Sequence, residues 1–439
     1  MAELPVVVVG AGPVGLAAAA ELVERGLRPL VLEKADRAGA AVAEWHHVRL
    51  FSSWSELVDP AADRLLAGAG WRRPEGSEYP TGAEWASRYL RPLAEALGEK
   101  VRFGVEVVGV ARRGRDRVVD AGRDSEPLTV HVRCADGGEE RITARAVIDA
   151  SGTWGSPNPV GGDGLPAVGE RAAAEWISYR VPDLTDDAVR ARYTGRHVVI
   201  AGSGHSALTA LVAFAELAEQ QPATRITWLL RRGAVGDTFG GGAADQLPAR
   251  GALGLRARAA VDAGRITVVT GFRTERVDGR DLVSDNGQRV SNVDEVVVLT
   301  GFRPDLSWLS ELRLDLDATL QAPVALAPLI DPNVHSCGTV YPHGVTELSH
   351  PEPDVYLAGM KSYGRAPTFL AMTGYEQVRS LAAALAGDRE AAERVELVLP
   401  ETGVCGGAGV FDDPARDQSG GCCATPEPQM LTLSAPPTR

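Results

Sequence analysis

Two short stretches of this 439-residue chain join closely spaced glycines to a downstream charge, and both spacings suit phosphate binding. In the first, Gly10, Gly12 and Gly15 stand in Gly-Ala-Gly-Pro-Val-Gly, directly after an apolar β-branched run. Gly10 permits a tight turn, Gly12 lets a pyrophosphate reach the backbone, and Gly15 lets helix and strand pack closely. A helix over the alanine-rich segment Leu16 to Glu24 aims free N–H groups and a partial positive charge at the phosphates. Glu33, followed by Lys34, ends the next apolar run at the spacing where a carboxylate bonds ribose hydroxyls. In the second stretch Gly202, Gly204, His205 and Ser206 follow another apolar run, and Ala207 takes the third glycine's place. The next run ends in Arg231 and Arg232 instead of an acid. Guanidinium groups pair with a 2′-phosphate, which a carboxylate repels. The first stretch therefore reads as an FAD site and the second as an NADPH site. The plainer reading of the two arginines is solvated surface charge.

Further candidates lie outside these turns. Residues 45–54 hold Trp45, His46, His47, Phe51 and Trp54, with Arg49 and Ser52 as polar members of an apolar run. Most such aromatics serve packing. Arg49, Ser52 and Lys361 are the residues expected near the flavin ring. Gly359 marks a loop after a strand, and Thr368 or Ser362 is placed to cap the helix that follows, whose N-terminus would face the flavin. Cys405, Cys422 and Cys423 are three of the five cysteines and fall in a tail of small polar residues. Thiolates select soft ions, so these three are candidates for capturing a substrate. The plainer reading is redox-reactive surface cysteine. His335, Cys337, His343 and His350 lack any zinc spacing and read as loop residues lining a pocket. No metal site is expected.

The elements that must hold these residues follow from periodicity and punctuation. Residues 4–34 read as strand, glycine turn, helix and strand, with Gly26 stopping the helix. Residues 35–98 read as an insertion over the first site, helical from Thr81. Residues 101–148 read as a β-meander with a hairpin turn at Asp136-Gly137. A buried strand at 146–150 leads into a glycine- and proline-rich exit, and 161–195 reads as a polar, weakly structured linker. Residues 237–254 read as a mobile glycine-rich loop. Further strands are expected at 266–269, 282–284, 293–299 and 355–359, and a helix over 366–386. Residues 300–304 mirror the earlier exit at 151–153, so the chain is expected to leave one domain and return to it. The fold class is α/β with two Rossmann-like dinucleotide-binding domains, a β-meander and a mobile C-terminal tail. The FAD-binding domain spans 1–155 and 301–395, the linker 156–195, the NAD(P)H-binding domain 196–300 and the tail 396–439.

Composition narrows the partners. The chain is 44% hydrophobic and 23% charged, with net charge −13, which opposes nucleic acid and anionic membranes as partners. No apolar run suits a membrane span, and Glu3 stands where a signal sequence carries basic residues. A cytoplasmic setting with reduced thiols is expected.

Through GAGPVG, GSGHSA and LTGFRP, residues 4–390 resemble the two-dinucleotide-domain flavoproteins, which include flavin-containing monooxygenases and thioredoxin-reductase-like disulfide reductases. The reductase branch needs a redox-active cysteine pair, usually Cys-x-x-Cys, and this sequence has none. The monooxygenase branch needs no catalytic cysteine. The resemblance to it implies that NADPH reduces FAD, that reduced flavin adds dioxygen at C4a, and that a nucleophilic substrate takes the distal oxygen. The FxGxxxH fingerprint of that branch is absent from the region 161–179. Residues 326–379, with HSCGTVYPHG and MKSYGRAPTF, resemble actinobacterial-type flavoproteins associated with arsenic-resistance clusters. The tail's vicinal cysteines resemble those of mercuric reductases. The expectation is an FAD- and NADPH-dependent monooxygenase acting through a flavin C4a-hydroperoxide on a soft nucleophile, a trivalent arsenical above all, with dioxygen as co-substrate. The alternatives are a flavin reductase or oxidase, a reductase of a thiol-bound metal, and a metalloid-binding or redox-sensing flavoprotein without turnover.

Overall fold

The computed structural model describes residues 4–245, 247–333, 342–367 and 369–397. Thr368, Cys405, Cys422 and Cys423 lie outside the described residues, as do His335 and Cys337. The chain begins with β1 (Val6–Val9), helix α1 (Pro13–Glu24), β2 (Pro29–Glu33) and, after an insertion of short helices, β3 (Val101–Phe103). An antiparallel trio follows, β4 (Val105–Arg112), β5 (Leu128–Cys134) and β6 (Glu139–Ala144), then β7 (Ala146–Asp149). The next strands are β8 (Ile177–Ser178) and β9 (His197–Ala201), then α2 (His205–Gln220), β10 (Arg225–Leu229), α3 (Pro248–Asp262) and β11 (Thr267–Val269). A second antiparallel trio, β12 (Thr274–Asp278), β13 (Asp281–Ser284) and β14 (Arg289–Val290), precedes β15 (Glu295–Val298). The chain closes with β16 (Val355–Leu357), α4 (Ala371–Leu385) and a short final helix.

Two parallel sheets organise these strands, in the orders β16-β7-β1-β2-β3 and β11-β10-β9-β15-β8. Strands buried on both faces read as continuous apolar runs, and β1 is four buried valines. Val6 and Val8 pack with α1 and α4, whereas Val7 and Val9 pack with Val110 and Val130 of the first trio. The second sheet repeats the scheme. Val198 and Ile200 of β9 face α2, while Val199 and Ala201 face Val277 and Leu282 of the second trio. Each sheet thus has helices on one side and a small antiparallel sheet on the other. Ala17 to Ala20 in α1 are buried, and their small side chains let α1 lie close between the sheet and Tyr375, Val378 and Leu381 of α4. Gly26 ends α1 at φ 73°, with Leu27 N donating to Leu22 O and Gly26 N to Val23 O, the paired bonds of a Schellman cap.

Four expectations are corrected. The meander is β4 to β6 alone, because β3 and β7 join the parallel sheet beside β2 and β1. Residues 161–195 are not weakly structured. Trp176 and Ile177 are buried, β8 pairs with β15, and Glu170 accepts from Val160 N, Ala167 N and the Tyr179 hydroxyl. The glycines of 237–254 serve packing. A Cβ on Gly254 would stand 1.8 Å from Phe239 O, and one on Gly251 2.0 Å from Gly242 O, so α3 lies directly on the preceding turns. The last long helix begins at Ala371, and Ser362 is buried with its hydroxyl on Gly359 O instead of capping it. Among the described residues no helix is long and apolar enough to cross a membrane.

Candidate functional site

The two glycine turns share one geometry. Gly10 has φ 99° and Gly202 φ 132°, backbone that L side chains rarely adopt. A Cβ on Gly10 would meet Ala150 O at 3.0 Å, and one on Gly202 would meet Leu299 O at 2.2 Å. Each first glycine therefore lies against the strand end where the chain leaves its sheet. Gly15 takes the third role, since a Cβ there would stand 1.9 Å from Gly10 O. A Cβ added at Gly12 or Gly204 would meet nothing within 4 Å among the described residues. Neither α1 nor α2 has a side-chain cap at its N-terminus, so open space faces unclaimed N–H groups, as a pyrophosphate requires. Glu33 stands beside the first turn, accepting from Ala11 N at 2.8 Å and Ala35 N at 2.9 Å. Lys34 is exposed.

Arg231 and Arg232 follow β10 as Lys34 follows β2. Arg231 is exposed and donates to Gly162 O at 3.3 Å, while Arg232 is half-buried and its carbonyl accepts from Gly271 N at 2.7 Å.

Between the turns lies a cavity of about 450 Å³. Pro13, Val14 and Gly359 line it from the first unit, and His205, Ser206 and Thr209 from the second. The insertion supplies Trp45, Arg49, Phe51, Ser52 and Trp85. Phe51 meets the His205 ring edge-on at a centroid distance of 5.2 Å, joining the insertion to α2. Burial, reinforced by the Arg250 charge, pushes His205 down to about 4 against the opposing pull of Asp245, so its ring is neutral at physiological pH. Ser52 is buried, and Arg49 donates to the Tyr79 carbonyl from the cavity's edge. Gly359 has φ 68°, and its N–H donates to Gln377 Oε1 at 2.8 Å.

Lys361 is held in a buried ion pair. It does not line the cavity. Its Nζ lies 2.7 Å from Asp149 Oδ2, donates to Ser151 Oγ at 3.0 Å and sits 4.6 Å from the Trp308 ring centroid. Both charges are sealed from solvent, where a lysine persists as an ion only with a counter-ion. His343 and His350 do not line the cavity either. His343 bonds Gln377 Nε2 at 2.8 Å, and His350 Nδ1 accepts from Asp315 N at 3.3 Å.

Sequence reasoning missed two groups. Trp154, Phe302, Arg180 and Glu44 form a clasp where the chain crosses between the sheets. Trp154 Nε1 donates to Glu44 Oε2 at 2.7 Å, and the Arg180 guanidinium lies 4.0 Å from the Trp154 ring centroid and 5.3 Å from that of Phe302. The crossover glycines signalled the crossing but not the residues that lock it. The second group is His46 and His47 of the insertion with Asp183 of the approach to the second unit. Burial holds His47 below the usual histidine range, against the pull of Asp183. No sequence spacing announces this cluster.

Comparison with known proteins matches residues 7–326 to a family described as pyridine nucleotide-disulphide oxidoreductase. Ferredoxin–NADP reductase 1 of Cupriavidus necator is 28% identical over 321 residues, covering 71% of this chain and 75% of that protein. In fold, the chain is similar to bacillithiol disulfide reductase from Bacillus cereus, with TM-score 0.64 and 20% identity over 88% of this chain and 99% of that one. It is similar likewise to ornithine hydroxylase from Pseudomonas aeruginosa, with TM-score 0.57 and 19% identity over 88% of this chain and 99% of that one.

Proposed function

The chain belongs to the pyridine nucleotide-disulphide oxidoreductase family, and on that premise we propose that it is a monooxygenase, with FAD and NADPH as its cofactors, acting on a soft nucleophilic small molecule, a trivalent arsenical first among them. One observation carries this reading. The cavity joining the two glycine turns is walled mainly by apolar and aromatic side chains, and no cysteine lines it among the described residues. Dithiol disulfide reductases usually carry a Cys-x-x-Cys at that point, and the sequence has none.

Bound FAD supplies hydride acceptance from NADPH and the activation of dioxygen. In the balanced reaction NADPH, a proton, dioxygen and substrate give NADP⁺, water and a substrate carrying one added oxygen. The chain's residues hold and shield the reactants. Gly10, Gly12, Pro13 and Gly15 take the FAD pyrophosphate on the α1 N-terminus, and Glu33 takes the ribose hydroxyls. Gly202, Gly204, His205 and Ser206 do the same for NADPH, with Arg231 and Arg232 on its 2′-phosphate. Trp45, Phe51 and Trp85 exclude water, which protects a reactive oxidant from hydrolysis. Arg49 and Ser52 offer donors to the substrate. Gly359, with Lys34 and Thr368, completes the flavin surround. Cys405, Cys422 and Cys423 capture the soft substrate, in a cytoplasmic setting where thiols stay reduced.

A reductase reading draws on the ferredoxin–NADP reductase likeness, and one experiment separates the two. The purified flavoprotein is given NADPH in air with and without arsenite, and peroxide is counted against arsenate. Arsenite-dependent NADPH use with one arsenate formed per NADPH and little peroxide is expected. Equal NADPH use in both arms, all recovered as peroxide, refutes the arsenical substrate and favours an oxidase.

A further inference from the structure

Away from both glycine turns, three metal-binding side chains converge where the insertion meets the approach to the second unit. His46 and His47 follow the short helix Ala40–Glu44, and Asp183 precedes the helix Asp187–Tyr193. His46 Nε2 lies 3.0 Å from Asp183 Oδ2, and the two imidazole centroids are 5.2 Å apart. One ligand atom from each of the three residues lies within 4.8 Å of the others. The carboxylate is already oriented. Asp183 Oδ1 accepts from Thr185 N at 3.0 Å and from Thr185 Oγ1 at 2.6 Å, which leaves Oδ2 for the histidines.

His47 supplies the second observation. Both of its ring nitrogens are shut off from solvent, and neither makes a hydrogen bond of strict geometry among the described residues. Backbone hydrogen bonding from Val181 and Pro182 favours its charged form, although neither contact meets strict hydrogen-bond geometry. An imidazole nitrogen outside a strong hydrogen bond keeps its lone pair available as a metal ligand. The flavin chemistry proposed above makes no use of it.

We propose that His46, His47 and Asp183 bind a divalent transition-metal ion, zinc by the chemistry of the ligands. Two imidazoles and one carboxylate are a recurrent zinc donor set, and a fourth position is left for water. Tetrahedral zinc with bonds of about 2.0–2.1 Å brings ligand atoms to roughly 3.3 Å of one another. Rotation of the exposed His46 ring supplies the closure required. The ion ties two parts of the molecule together. Trp45 and Val48, on either side of the histidines, line the cavity, whereas the segment around Asp183 packs through Val181 and Leu184 against the core of the second sheet. Zinc here fixes one wall of the cavity relative to the second nucleotide unit. The proposal does not depend on what the cavity oxidises.

The test uses full-length, flavin-loaded protein, stripped with a chelator, desalted and titrated with zinc chloride against a chromogenic competitor. One equivalent should bind tightly to the unaltered chain and equally to the Cys405→Ser/Cys422→Ser/Cys423→Ser variant. Affinity should fall at least about 100-fold in His47→Gln and in Asp183→Asn, since losing even an outer-sphere partner costs about 10–100-fold. Zinc should raise the thermal midpoint of the unaltered chain and leave that of the variants unmoved. His46→Gln changes an exposed side chain and gives the same reading if the half-buried His47 variant fails to fold. Absence of a tight equivalent, its loss with the cysteines, or its survival in His46→Gln and Asp183→Asn overturns the site.

Discussion

At the scale of single residues, the sign of one charge distinguishes the two glycine-turn units. Glu33 ends β2 and Arg231-Arg232 follow β10 at matching places after their glycine turns. A guanidinium–phosphate pair is charge-assisted and worth about 1.5–3 kcal/mol. Replacing both arginines by alanine should therefore raise KM for NADPH at least about tenfold while moving KM for NADH little. Steady-state kinetics with both nucleotides check this, and equal effects on the two remove the 2′-phosphate assignment. The two strand–turn–helix–strand units were legible in the sequence because a glycine turn is a local device, with spacing and flanking strands close together in the chain. Lys361 was not. Its partner Asp149 lies far away in the chain, and only the alignment of β16 beside β7 brings the two together. His47 was illegible for the same reason, since its neighbour Asp183 reaches it through the fold.

At the scale of elements, the Asp149–Lys361 pair pins the end of β7 to the turn Gly359–Tyr363. Gly359 in that turn rests on Val14 of α1, where a Cβ would stand 3.2 Å from Val14 Cγ2. The pair therefore steadies a turn whose Gly359 lines the cavity. Breaking one half of a buried pair costs about 3–5 kcal/mol, because the other charge is left uncompensated. Lys361→Met should lower stability by that order, and Asp149→Asn/Lys361→Met should recover most of the loss. Urea unfolding of the three proteins measures it, and a double variant no better than the single one refutes the pairing as the cause. Strands and long helices could be read from apolar periodicity. The packing glycines 251 and 254 could not, because sequence alone does not separate a glycine that frees a loop from one that admits a neighbouring backbone.

At the scale of the whole molecule, the two crossings between sheets run side by side. Asn158 N donates to Gly301 O and Arg303 N to Ser156 O, both at 2.9 Å, and Arg180 stacks over Trp154 and Phe302 from the two crossings. A cation–π contact of this kind is worth about 0.5–2 kcal/mol. Arg180→Ala should leave flavin content unchanged, since Arg180 does not line the cavity. It should slow flavin reduction by NADPH several-fold, as the second unit loses its fixed presentation. Anaerobic rapid mixing measures the rate, and an unchanged rate removes the clasp from control of nucleotide delivery.

The packing of α1 against α4 also sets a timetable during synthesis. Four of the five strands in the first sheet are complete by Asp149, but α4 and the edge strand β16 emerge only after residue 354. Domains fold as units as the ribosome delivers them, at about 5–20 residues per second. The second unit, whose sheet is drawn entirely from residues 177–298, can close while the first still waits with Ala17 to Ala20 uncovered. The half of the protein that is begun first is finished last.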